Sequence, residues 1–189
     1  MNLSAQVNSP PYVPPGINQR PSANFFDYDI GVNRYNKDTF LYFNPVFNFN
    51  TSNWGVGFQL PLNILLLDKE PKYDNSKLGM LRPGDYDSKK DYQRLLNYAW
   101  IGDYGFYEPN KITYSLYLGK MFDGYIGHGT IINRYVNNPT VDNYKLGVMA
   151  DVNTDWGGVQ VFTNSITDRE VNAARIYIRP YGSFLGLYR

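Results

Sequence analysis

From Phe25 onward, apolar and polar residues alternate along most of this chain. The longest such stretch, Thr39 to Asp68, reads as two strands about a Thr51-Ser52-Asn53 turn. On the first, Leu41, Phe43, Pro45, Phe47 and Phe49 share a face, with Asn44, Val46, Asn48 and Asn50 opposite. On the second, Trp54, Val56, Phe58, Leu60, Leu62, Ile64 and Leu66 oppose Gly55, Gly57, Gln59, Pro61 and Asn63. Side chains alternate sides along a strand, so each reads as an oily face backed by a polar or small one. Both runs exceed the usual strand of about 5–6 residues. They reach the roughly 9–11 residues that a tilted strand needs to cross a bilayer.

The same rhythm recurs along the chain. Phe26, Tyr28, Ile30 and Val32 oppose Asp27, Asp29, Gly31 and Asn33. Residues 91–102 return to strand composition, with a short helix through Leu95 as the alternative. Ile112 to Gly119, Tyr144 to Asn153, Val159 to Asn164 (after a Gly157-Gly158 turn) and Ala174 to Arg179 complete roughly eight strands. Asp27, Asp29, Lys145, Asp151, Arg175 and Arg179 all fall opposite the oily residues, as a watery lumen requires. A soluble antiparallel sheet with one wet face shows the same alternation and stands as the competing reading. The pattern predicts an all-β protein, an antiparallel up-and-down transmembrane β-barrel over residues 23–189, or an N-terminal portion of a larger one. The expected lumen lining is Asp27, Asp29, Asn44, Asn48, Gln59, Asn63, Arg134, Lys145, Asp151, Gln160, Arg175 and Arg179.

Two segments break the rhythm. Residues 1–22, with five prolines, read as a flexible tail. The opening MNLSAQVNSPPYVPPG has no basic stretch followed by an apolar one, so any export signal is expected to have been removed or to lie outside this sequence. Residues 69–90 form a long polar loop, expected at the surface or folded into the lumen.

Composition narrows the functions. A net charge of +1 gives no field of the kind nucleic acid binding needs, so no nucleic acid partner is expected. The 18 tyrosines and 11 phenylalanines suit interfacial aromatic girdles. Without cysteine there is no disulfide, thiolate metal site or acylated N-terminal cysteine. No run of about 18 apolar residues occurs, so no transmembrane helix is expected.

The stretch Gly127-His128-Gly129-Thr130 through Arg134-Tyr135 reads GHGT-x-x-x-RY and is followed by DVNTDWGG (Asp151 to Gly158) and RIYIRP (Arg175 to Pro180). With these segments the chain resembles porin-like outer-membrane β-barrels of Gram-negative bacteria, especially uncharacterised barrels carrying GHGT-x-x-x-RY. The resemblance implies a barrel fold and an outer-membrane location, and no activity. It departs at Arg189, where barrels of this type close on a terminal aromatic residue.

Candidate chemistry is sparse. His128 is the single histidine; Ser115 and Ser165 could pair with it for hydrolysis, but no nucleophile elbow accompanies them. One histidine and no cysteine do not make a zinc site. Asp151-x-Asn153-x-Asp155 opens like a calcium loop, yet Trp156 and Phe162 occupy the positions that need Gly and Glu. The expectation is therefore no catalysis, no cofactor and no metal. A passive porin-like channel for small polar solutes, seated in outer-membrane lipid, leads. A non-catalytic surface adhesin using the 69–90 loop and a secreted soluble β-sheet binding domain are the alternatives. Arg94, Arg134, Lys145, Arg175 and Arg179, facing Asp27, Asp29 and Asp151, would set ion selectivity in a wide lumen. In a narrow barrel they would instead form a salt-bridged plug.

Overall fold

The computed structural model describes residues 24–69, 78–103, 110–127, 129–138 and 144–180. The expected 1–22 tail and His128 lie outside them, as does part of the 69–90 loop. The strands are β1 (Phe25–Tyr35), β2 (Asp38–Asn50), β3 (Trp54–Gln59), β4 (Leu62–Leu67), β5 (Leu96–Gly102) and β6 (Thr113–Gly119). There follow β7 (Gly124–Ile126), β8 (Ile132–Tyr135), β9 (Gly147–Thr154), β10 (Gly157–Thr163) and β11 (Asn172–Ile178). The fold is all-β and antiparallel. One sheet runs β1-β2-β3-β5-β6-β9-β10-β11, with β4 continuing β3 alongside β2. Each wall strand thus neighbours its predecessor in sequence, an up-and-down meander. Among the described residues the sheet does not close: β1 and β11 are each paired on one side only.

Period-two alternation placed these strands well, and departures occur where backbone chemistry intervenes. The long second strand breaks at Leu60-Pro61, where proline cannot donate to the ladder. Residues 91–102 divide into a 3-10 turn, Asp91–Leu95, and β5, so both readings of that stretch hold in part. The turn before β10 is Asp155-Trp156; Gly157 and Gly158, expected in that turn, belong to the strand. β9 starts at Gly147, leaving Tyr144 and Lys145 ahead of it. The short β7–β8 hairpin, which holds the GHGT stretch, has no counterpart in the periodic pattern.

Register carries the polarity across the sheet. Outward rows read Ile30–Phe43 and Phe47–Phe58, then Ile101–Leu116–Ala150–Val161–Ala174 and Tyr114–Val152–Val159–Ile176. Inward rows read Asp29–Asn44 and Asn50–Gly55–Trp100, then Gly102–Ser115–Asp151–Gln160–Arg175. Among the described residues Arg34, at the end of β1, is the one charged side chain at an outward strand position. The oily face is the exposed one. Phe26, Ile30, Val32, Phe49, Leu116, Val161 and Ile176 are all exposed, whereas Asn44, Asn48, Asn50 and Asn63 are buried. This inverts a water-soluble sheet, which buries its apolar face.

The sheet curls toward its polar side. Lys90, ahead of β5, reaches Asp168 in the β10–β11 turn at 2.8 Å, spanning the β6, β9 and β10 positions between them. Lys90 stands ahead of the 3-10 turn Asp91–Leu95, so this pair ties the 78–95 segment across the polar side of the sheet. Burial lowers the pKa of Lys120, just after β6, while the charge of Asp29 on β1 raises it. The two ends of the sheet differ. One carries the turn 51–53, the segment 103–112 and the turn 155–156; the other carries the turns 36–37 and 164–171 and the long segments 68–95 and 120–146. β1 starts, and β11 finishes, at the short-turn end.

Candidate functional site: the polar concave face

Two segments lie on this face, each held by polar side chains. The first, residues 78–95, pairs residues 79–82 along the free side of β4 and then turns onto this face over residues 83–95. Asp85 is 0% exposed and Arg94 2%. The Asp85 carboxylate accepts from Asn63 Nδ2 at 2.8 Å and lies 3.1 Å from Arg82 and 3.5 Å from Arg94. Asn63 in turn accepts from Asn33 Nδ2 of β1 at 3.0 Å, and Gln59 donates to the Arg94 carbonyl at 2.9 Å. Arg82 stacks 4.0 Å above the Tyr35 ring. Burial pushes the Tyr86 phenol up to about 12, so it remains a donor, to the Pro61 carbonyl, across ordinary pH. Arg94 also lies 3.6 Å from Asp91, so the buried charges are balanced as a cluster of two guanidiniums and two carboxylates.

The second segment is the β7–β8 hairpin, which lies over β10 and β11. Met121, Ile126, Ile132 and Phe162 form a small apolar core beneath it. At its tip Gly127, with φ of 67°, donates to Gln160 Oε1 at 2.9 Å. A Cβ there would also sit 2.7 Å from the Arg175 guanidinium, so glycine serves twice. The hairpin stems are anchored by Asn137. Its amide nitrogen reaches the carbonyls of Gly119, Lys145 and Asn164, and its oxygen accepts from Met121 N at 2.8 Å.

Toward the short-turn end the concave face is lined by side chains alone. Asn50 bonds Tyr98 and Trp100, and Gly55 and Gly57 of β3 leave room for these groups: a Cβ on Gly57 would meet Tyr98 Cε1 at 2.4 Å. Ser115 donates to Asp151 at 2.9 Å; Tyr177 donates to Asn153, and Arg179 to the Thr154 carbonyl at 2.6 Å.

Of the residues expected to line a lumen, Asn44, Asn48, Gln59, Asn63, Asp151, Gln160, Arg175 and Arg179 share this face. Asp27 and Asp29 share it too, on the β1 edge, with Asn44 donating to Asp29 at 3.3 Å. Lys145 is buried ahead of β9, where it pairs with Glu170. Arg134 stands apart: on the hairpin, 84% exposed, 3.6 Å from Asp123. The expected basic wall facing acids is thus split, with Arg94 inside the Asp85 cluster and Arg175 and Arg179 at the opposite edge of the sheet from Asp27 and Asp29. Asp85 and Asn137 had no sequence signal, because both sit in aperiodic polar segments. Of the would-be calcium ligands, Asp151 is held by Ser115 and Asn153, while Asp155 accepts from the Asn110 backbone N–H. Comparison with known protein families, with characterised proteins and with solved structures yields no match.

Proposed function

We propose that this chain forms the wall of a porin-like β-barrel in the bacterial outer membrane, conducting small polar solutes along its concave face. One observation carries the reading: the sheet exposes its apolar face and covers its polar one. Lipid is the solvent that rewards such an arrangement, because hydrocarbon surrounds the outside and water fills the lumen. Between Leu41 and Phe49 the apolar band rises about 27 Å along the strand, or about 19–22 Å along the membrane normal at a tilt of about 35–45°, most of the roughly 25 Å band of outer-membrane barrels. Trp54 and Trp156 lie exposed at the short-turn end, where indole rings favour the membrane interface. The unequal ends match short periplasmic turns and longer outer loops.

A second reading, a surface-exposed binding barrel that conducts nothing, is favoured by the two segments that occupy the concave face. Refolding into planar bilayers separates the two. Discrete conductance steps support the channel. Protein whose Trp54 and Trp156 are quenched by brominated lipid chains, yet which gives no steps, would sink the channel and leave the binding barrel. Lack of quenching would remove the membrane altogether.

A further inference from the structure

We propose, resting on the membrane reading, that the open β1 edge of one copy of this chain pairs with the open β11 edge of a second copy, so that two copies close one barrel. Strand edges cannot face hydrocarbon, because their N–H and C=O groups find no partner there. The outward residues of the edge strands are among the most exposed of the sheet, with Ile176 and Ile178 at 79% and 77%. The polar sides of the two edges are complementary. Asp27 and Asp29 face inward on β1, Arg175 and Arg179 on the β11 side, and Asp27, Asp29 and Arg175 make no ion pair among the described residues.

Direction and register follow. β1 runs toward the long-loop end and β11 away from it, so the pairing is antiparallel and leaves the long loops of both copies together. Setting Asp29 opposite Arg175 places Asp27 opposite Tyr177, diagonal to both arginines. The same register brings Tyr28 against Ile176 and Phe26 against Ile178 on the oily side. Slipping by one residue would turn charge toward lipid.

Width decides between a second copy and self-closure. An eight-stranded barrel has an interior just wide enough for side chains. Here the concave face also holds residues 83–95, which follow the stretch paired along β4, and the β7–β8 hairpin. Two copies double the wall to about sixteen strands, the size at which barrels enclose an aqueous channel. A two-fold axis along the barrel makes both seams identical.

The chain has no cysteine, so introduced thiols report cleanly. Two differently tagged chains, one Tyr28→Cys and the other Ile176→Cys, are refolded together into lipid vesicles and oxidised. The expected product is a disulfide-linked heterodimer, absent when either variant is refolded alone. Adding Asp29→Arg to the first chain should lower its yield several-fold, and Arg175→Asp in the second should restore it. Circular dichroism distinguishes an unfolded variant from an unpaired one. A double variant Tyr28→Cys/Ile176→Cys that cross-links only within one chain overturns the proposal in favour of self-closure. Membrane-integrated protein that gives no cross-link overturns it in favour of other strands at these edges. Protein that an alkaline wash strips from the vesicles fails the membrane reading itself, and the seam falls with it.

Discussion

An arginine placed on the oily face tests which solvent that face meets. Leu116 lies at the centre of β6, between Ile101 and Ala150 in the outward row, and is exposed. It stands about 10 Å along the strand from either end, so in a bilayer it occupies the midplane. Leu116→Arg should then cost about 2–4 kcal/mol, roughly 30-fold to several-hundred-fold in the folded-to-unfolded ratio. Ile112, just before β6, lies near the interface, where the same substitution should cost about 0–1 kcal/mol. In water both are exposed surface changes, within about 0.5 kcal/mol of neutral. The assay is urea unfolding of protein refolded into vesicles of short-chain lipid, followed by tryptophan emission, with midpoints compared at constant slope. Equal midpoints for the two arginine variants, or a Leu116→Arg cost below about 0.5 kcal/mol, would refute the assignment of this face to lipid.

Asp85→Ala should destabilise the docked segment 78–95 by about 1–3 kcal/mol, because it takes an acceptor from Asn63 and Arg82 and leaves buried Arg94 with Asp91 at 3.6 Å. Asp85→Asn should cost less, and limited proteolysis of the segment reads both. Gly57→Val should cost about 1–3 kcal/mol through overpacking against Tyr98, and a Tyr98→Ala background should relieve part of it in the same urea titration. The ties across the concave face should loosen in acid. Asp168 is held below its ordinary 3.8 by the Lys90 hydrogen bond, and Glu170 below its ordinary 4.5 by that of Lys145. A depressed carboxylate contributes stability above its unfolded value and loses it as pH falls through the folded one. Protection of the 164–171 turn, taken as hydrogen exchange relative to the intrinsic amide rate at each pH, should therefore be unchanged from pH 7 to about 5 and fall below about pH 4. Protection that does not change across that window would show that the two lysines do not hold the turn.

Alternation along the chain was enough to lay out the main sheet and its two faces. Period-two alternation is local, so Phe26 to Val32, Leu41 to Phe49 or Tyr114 to Leu118 declare their faces without reference to any partner, and the side each charge takes follows. Even the break at Pro61 is a property of one residue. What covers the concave face needed the tertiary structure. Asp85, Arg94 and Asn137 sit in segments with no period, and their burial depends on Asn63, Gly119 and Asn164, each distant in sequence. The β7–β8 hairpin is too short for a pattern to register and is held by contacts with Phe162 and Gln160. That β1 and β11 have one neighbour each among the described residues is likewise non-local, since alternation says which side of a strand is wet and never which strand lies beside it.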